Sequence, residues 1–269
     1  MPSHYAHYYF GNQVIKSASD NIKDIVNSSG DSLDVFMLGL HGPDILFFYK
    51  AYSKNPINEE GSKIHEEKGQ VFLEKALKYV KSRPTNENIS YLLGFMCHFM
   101  LDTACHPLVN QYMSLTGLSH SRIETEFDSY IIRELGKDPL KTYQLPHINN
   151  NDQLGEIIAP FYESTGAKEI KASIKWMVDI LSVVTSKSGL KRTAAKTILK
   201  IGKQYDNHGG MIVMKRPYDL TSESNIELFN KLKETIEITV KELDYLLDSV
   251  NKDLPLTERS KMNFNGEII

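Results

Sequence analysis

His98, Asp102 and His106 follow one another at four-residue steps inside the most apolar stretch of the chain. On a helix, residues four apart lie on one face, one turn above another. Three possible metal ligands therefore line one stripe of a hydrophobic helix. An ionised Asp in such surroundings is costly unless a cation or hydrogen-bond donors compensate it. His120 and Glu124 repeat the spacing on the next helical segment, and a pair so placed can chelate one ion. His65 lies on a third helical segment, Asp44 follows the turn in His41-Gly42-Pro43-Asp44, and His7 stands near the start. The chemistry these residues could share is the binding of divalent cations.

Each of them also has a plainer reading. At the chain's acidic fraction, nine histidines give roughly one His-x-x-x-acid pair by chance, and two are present. His98 could be a hydrogen-bonded core histidine, and Asp102 could pair with Arg122 or a lysine. His106-Pro107 could mark a helix end, where a protonated His suits the dipole. Ser121-Arg122-Ile123-Glu124 fits a capping box with Glu124 at its third position. His41 reads as a turn-side structural residue, and His147 and His208 as solvent-facing loop residues.

The elements that must position these groups are almost all helical. Period-3.6 patterning predicts helices over 10–28 and 32–40, the second stopped by Gly42-Pro43. Residues 53–61 read as a loop, and a long helix follows from Ile64 past Val80 to Pro84. A very apolar, central helix is expected from 86 to about 113, with Pro107 kinking it or ending its regular part. Another helix falls within 117–136, an exposed loop within 137–152, two or three helices within 153–205 and a last one over 223–250. Met211-Ile212-Val213-Met214 has strand character, and the tail from Lys252 reads as loose. The fold class is all-α. The chain reads as one domain, 1–269, whose ligand-bearing part covers about 4–130 and whose second half packs against it or walls the site.

Composition narrows the function classes. The chain has 269 residues, Lys+Arg 31 against Asp+Glu 34, and a net charge of −3, which argues against a basic nucleic-acid binder. Cys97 and Cys105 sit eight apart on one helix, about 12 Å of rise, too far for a disulfide, so both read as free thiols. The first residues show no basic stretch followed by an apolar one, and no window reaches the length of a membrane span, so a cytoplasmic protein without a transmembrane segment is expected. Nothing in the sequence bears on oligomeric state. No phosphate-binding glycine loop and no Gly-x-Ser-x-Gly elbow occurs. Lys187-Ser188-Gly189-Leu190-Lys191-Arg192 is a short basic cluster, readable as a solvated helix face or as a contact with an anionic surface.

The run His98-Phe99-Met100-Leu101-Asp102-Thr103-Ala104-Cys105-His106-Pro107-Leu108, followed by His120-Ser121-Arg122-Ile123-Glu124 with Phe127 and Asp128, resembles the zinc-dependent phospholipase C family. That superfamily also holds the P1-type single-strand nucleases and the amino-terminal part of glycosylphosphatidylinositol phospholipase D. His7 to Ile15, Gly42-Pro43-Asp44 and Ile64-His65 fall where the family has its other ligand segments. The resemblance implies a compact all-α domain with two to three Zn²⁺ ions. Asp44, His65, His98 and Asp102 would hold one ion, and His106, His120 and Glu124 a second. His7 and the bridging Asp102 would contribute to a third. Two departures stand out: this chain lacks the amino-terminal tryptophan that ligates the third ion in secreted members, leaving His4 or the amine of Pro2 as substitutes, and Asp102 to His106 spans four residues where the bacterial enzymes have six. The implied activity is phosphodiester hydrolysis by a metal-activated water, with Asp44 as general base or water-orienting carboxylate. The implied substrate is a phospholipid head group or small diester, with no stable nucleic-acid partner. A P1-type nuclease and a non-catalytic, metal-stabilised binding protein are the alternatives.

Overall fold

The computed structural model describes residues 4–149, 153–202, 205–252 and 254–269, with the side chains of 206 and 207 left aside. Its helices in chain order are α1 (His4–Ser17), α2 (Asp20–Val26), α3 (Gly30–Gly39), α4 (Pro56–Glu66), α5 (Gly69–Ser82), α6 (Asn86–Thr116), α7 (His120–Glu134), α8 (Leu154–Ile158), α9 (Ala167–Val184), α10 (Gly189–Ile201), α11 (Tyr205–His208) and α12 (Ser222–Asn251). A 3₁₀ segment over Gly42–Phe48 joins α3 to the approach of α4. Among the described residues there is no β-strand. Met211 to Met214 instead leave a 3₁₀ turn, and the Val213 amide donates to the Val184 carbonyl. A lone hydrogen-bonded residue pair lacks the neighbouring ladder a strand needs.

α6 is the axis. It packs most extensively on α3 and α12, and its Tyr91, Phe95, His98 and Phe99 are fully or almost fully buried. By length and composition alone it could cross a bilayer, contrary to the expectation from its most apolar window, but most of that stretch is covered by the rest of the fold. Thr85 caps its start through the Asn88 amide, and Gly117 ends it at φ 70°, the left-handed C-cap that glycine adopts without strain. Close packing on α3 requires two glycines. A Cβ on Gly94 would lie 2.2 Å from the Phe36 carbonyl, and one on Gly39 would lie 2.6 Å from that of Tyr91.

Several boundaries differ from expectation. The helix does not end at Pro107. It runs through to Thr116, and Gly266 of the C-terminal segment packs directly over the Thr103 carbonyl, the one that a proline at 107 leaves without its helical donor. Residues 53–61 are not all loop, because Asn55 forms a capping box with Asn58 and puts Pro56 at the first helical position, where its missing N–H costs nothing. The expected helix over 64–80 is two helices broken at Glu67 and Lys68. There the Gly69 amide donates to the Met262 carbonyl, 2.8 Å away, and Gly69 lies too close to the Phe99 ring for a side chain. The helix over 10–28 is likewise divided, at Ala18 and Ser19.

The tail is not loose. Phe264 is completely buried, with its ring 5.1 Å from Phe99 and 4.7 Å from His65. The exposed loop of 137–149 is also partly a correction, since Leu145 and His147 are buried within it; Asn150 and Asn151 lie outside the described residues.

Candidate metal centre

Five segments converge on one region. α1 brings His7, the 3₁₀ segment Asp44, α4 His65, α6 the stripe His98, Asp102 and His106, and α7 His120 and Glu124. α1 is aimed by Asp128 of α7, whose carboxylate accepts the Tyr5 and Ala6 amides at 3.2 and 2.7 Å; a carboxylate suits the unpaired donors of a helix start. Gly42 adopts φ 48°, and a Cβ there would fall 2.5 Å from the His98 ring. Glycine thus lets the chain turn against His98 and present Asp44. α7 begins at Ser119, whose hydroxyl accepts the Arg122 amide. The capping-box reading of Glu124 is therefore displaced, and its side chain is left to face His120.

Asp102 sits at the middle. One of its oxygens is 3.1 Å from His7 Nε2 and 3.6 Å from His106 Nε2, and the other is 3.1 Å from His98 Nε2. Asp44 Oδ1 lies 3.0 Å from His65 Nε2. Glu124 Oε1 lies 3.1 Å from His120 Nε2 and 3.5 Å from His106 Nε2. Three sets have ligand atoms within 4.8 Å of one another: His7, His98 and Asp102; Asp44, His65 and His98; His106, His120 and Glu124. All eight residues singled out from the sequence are thus brought together. Arg122 does not pair with Asp102; it binds Glu126 and the Gly209 and Ile212 carbonyls.

The imidazole orientations decide whether this donor set suits a cation. His65, His98 and His106 point Nδ1 at the carbonyls of Gly61, Leu40 and Phe264, at 2.7, 3.1 and 2.8 Å. A carbonyl only accepts, so Nδ1 carries the proton, and a neutral ring presents its Nε2 lone pair inward. Those three Nε2 atoms and Asp44 Oδ1 are buried without a hydrogen-bond partner, although carboxylate oxygens stand 3.0–3.6 Å away. Lone pairs aimed at one another in a dry site repel unless a cation lies between them. Carbonyl-anchored histidines with converging carboxylates are the arrangement that holds zinc, so the residues present fit the ion.

The electrostatics agree. Burial opposes charge on His98 and His106, but the acids facing them together outweigh it, Asp102 with Asp44 at His98 and Asp102 with Glu124 at His106, and both are raised; at His7 burial and the neighbouring His98 prevail and the imidazole is pushed down. Burial likewise opposes ionisation of Asp102 and Glu124, yet the surrounding imidazoles, His106 first for Asp102 and His120 first for Glu124, hold both well below the usual carboxylate range. The region is a sink for positive charge.

Sequence reading missed two contributors. Phe264 lies in the tail, yet its carbonyl orients His106 and its amide donates to the His65 carbonyl, 3.3 Å away. Nothing in a lone Phe signals a backbone role. Leu228 of α12 walls a small cavity with His7, Asp102, His106 and Glu124, so the second half does form part of the site. His147 was expected in solvent but is buried. It stacks on Tyr8 at 4.4 Å and places Nε2 2.7 Å from His41 Nε2, while His41 Nδ1 lies 3.4 Å from His4 Nδ1. The flat Tyr8 face beside this cluster gives the ring an apolar seat. His4 thus packs with His41 rather than against a carboxylate of the eight; Pro2 is outside the described residues, and His208 is half-buried.

Comparison with curated proteins and with solved structures returned no match. The family model for zinc dependent phospholipase C, by contrast, matches residues 6–173, more than half of the chain and a span holding all eight clustered residues. With an all-α fold around a donor set suited to zinc, the chain belongs to the zinc-dependent phospholipase C family.

Proposed function

We propose that this protein is a zinc-dependent phosphodiesterase that cleaves a phospholipid head group or a small phosphodiester, as phospholipases C do. The observation that carries the reading is the set of inward-facing imidazole nitrogens, fixed by backbone carbonyls and opposed by buried carboxylates. His65, His98 and Asp44 would hold one ion and His106, His120 and Glu124 another. His7 with Asp102 would complete a third, and Asp102 would be shared among them. Bound zinc would supply a water acidified toward neutral pH and a Lewis acid for the phosphoryl oxygens.

The protein's own part is orientation. The Leu40, Gly61 and Phe264 carbonyls hold three imidazoles in the tautomer that offers Nε2. Asp44, buried and ionised, would act as the general base or water-orienting carboxylate. His120 is the most exposed member, with 29% of its side chain accessible, against 15% for His65, so the N-terminal end of α7 is where a diester enters.

Zinc per chain, measured after purification without added metal, tests the first half of the proposal, with two to three ions expected. Turnover of a chromogenic phosphodiester tests the second. Alanine at His98 should abolish both, and full activity in a zinc-free variant refutes the mechanism. Parallel assays on phosphatidylcholine vesicles and single-stranded DNA separate the phospholipase from a P1-type nuclease.

A further inference from the structure

α10 is a helix whose outer side is exposed among the described residues. Leu190, Ala194, Ile198 and Ile201 recur at steps of four, four and three, the spacing of one helical face. All four are exposed, Leu190 at 81%, Ile198 at 69% and Ile201 at 79%. The inner side packs Ala195 and Leu199 partly against the core, Arg192 turns back to donate to the Ser186 carbonyl, and Lys196 and Lys200 lie over the Tyr205 ring. Lys187, Lys191, Lys196 and Lys200 are exposed around the apolar stripe, and residues 187–202 contain no Asp or Glu. An exposed aliphatic stripe edged by cations alone, on a chain of net charge −3, is a local reversal of the protein's own charge.

The helix belongs to an arm pinned at its base. The Val213 amide donates to the Val184 carbonyl at 3.1 Å, closing the excursion between them. Arg122 of α7 then donates to the Ile212 and Gly209 carbonyls at 2.9 and 3.0 Å. Gly210 lies against Ser119 and Ser121, so closely that a Cβ would be 2.1 Å from the Ser121 hydroxyl. Ser119 and Ser121 flank His120, the most exposed of the clustered residues. The arm is thus rooted where the site opens.

We propose that α10 is an interfacial helix that docks the protein on an anionic phospholipid surface. The aliphatic stripe enters the boundary between head groups and acyl chains, and the flanking lysines meet the lipid phosphates, as basic amphipathic helices do. Lipid is favoured over nucleic acid because Leu190, Ile198 and Ile201 gain nothing from a phosphate backbone, whereas burial in a bilayer removes them from water. The docked arm sets the mouth beside His120 against the membrane. The inference deepens the phospholipase reading and rests on it for the identity of the surface.

Co-sedimentation of the zinc-loaded full chain with vesicles tests it, using phosphatidylcholine alone and phosphatidylcholine mixed with phosphatidylglycerol. The protein should bind the mixed vesicles, less so in high salt, and the neutral ones far more weakly. Each cation at an anionic leaflet multiplies partition by about five-fold, so Lys187→Gln/Lys191→Gln/Lys196→Gln should lose roughly a hundred-fold. Leu190→Ser/Ile198→Ser/Ile201→Ser should lose the part of the binding that survives high salt. Neither triple variant should alter turnover of a soluble, monomeric phosphodiester. Indifference of the unaltered protein to anionic lipid overturns the proposal. So does vesicle binding by either variant equal to that of the unaltered protein, or an arm that captures single-stranded DNA through its lysines while the serine variant still binds vesicles fully. Failure to hydrolyse the soluble diester sinks the enzymatic reading and leaves the vesicle result legible.

Discussion

Two buried histidine clusters interleave along the chain and differ in their electrostatics. In one, His98 and His106 are drawn toward the charged form by Asp102. In the other, burial without any carboxylate contact pushes His4 and His147 down to about 3 and His41 well below its ordinary value. Their hydrogen bonding differs in the same sense. In the first, His65, His98 and His106 spend Nδ1 on backbone carbonyls and leave Nε2 unpartnered. The second spends ring nitrogens on one another, His41 Nε2 on His147 Nε2 and His41 Nδ1 on His4 Nδ1, and leaves only the outer nitrogens, His4 Nε2 and His147 Nδ1, without a partner. A neutral imidazole has one donor and one acceptor, so His41 can satisfy both neighbours without charge. The first cluster is built for cations and the second is a neutral strut joining α1, the Gly42 turn and the loop of His147. Carboxylates in contact set His98 and His106 apart from the strut, whereas His7, 3.1 Å from Asp102 but also stacked on His98, is still pushed down by burial.

The largest break in that contrast is expected at Asp102. Asp102→Ala removes the carboxylate that faces His7, His98 and His106, so elemental analysis should find the zinc gone or reduced to one ion, with phosphodiesterase turnover undetectable. Asp102→Asn keeps the shape and one acceptor oxygen while removing the charge. It should lose metal nearly as fully, which would separate charge from packing. Retention of full zinc by both variants would falsify the assignment of Asp102 as the bridge.

This centre was legible in the sequence because its information is local. His98, Asp102 and His106 announce themselves by four-residue spacing within one apolar helix, and His120 with Glu124 repeats the signal. The all-α class was legible for the same reason. Asp44, His65 and His7 have no such pairing, and only the order of motifs along the family pointed to them. The rest was illegible because it is set by contacts distant in sequence. Pro107 stays inside α6 because the C-terminal segment packs on the freed carbonyl. The tail is fixed because Phe264 fills a space between Phe99 and His65, and a polar, proline-containing loop gives no hint that its His147 will stack on Tyr8.

A more selective effect is expected at Phe264, since its carbonyl serves His106 and not His98. A chain ending after Asn263 should lose the ion held by His106, His120 and Glu124 while keeping the one held by Asp44, His65 and His98. Loss of a fully buried phenylalanine also costs about 3–5 kcal/mol of stability. Phe264→Leu separates the two effects, because it retains the carbonyl and most of the apolar volume. That variant should melt at a lower temperature yet hold the full zinc complement. Equal zinc content in the truncated and intact chains would show that the carbonyl does not position His106.

The smallest expected effect is the one that isolates the strut. Below its ordinary value near 6.5, each of His4 and His147 takes up a proton when unfolded but stays neutral when folded until pH reaches about 3. The unfolded state therefore binds more protons across that window, and stability must fall as pH falls through it, by about 1.4 kcal/mol per pH unit for each such histidine. Asp44 contributes in the same direction at lower pH, its share being lost only as pH falls toward about 2. The raised His98 and His106 act in the opposite sense as pH falls from 7, so denaturant titrations of the metal-stripped protein at pH 6 and 5 isolate this share by comparison with a strut variant. His147→Phe preserves the flat ring against Tyr8, removes one titrating group and leaves every clustered carboxylate in place. Its slope should be shallower by one histidine's share between pH 6 and 5, with zinc content and turnover at neutral pH unchanged. A variant that lost zinc would make the strut part of the metal centre and erase the distinction between the two clusters.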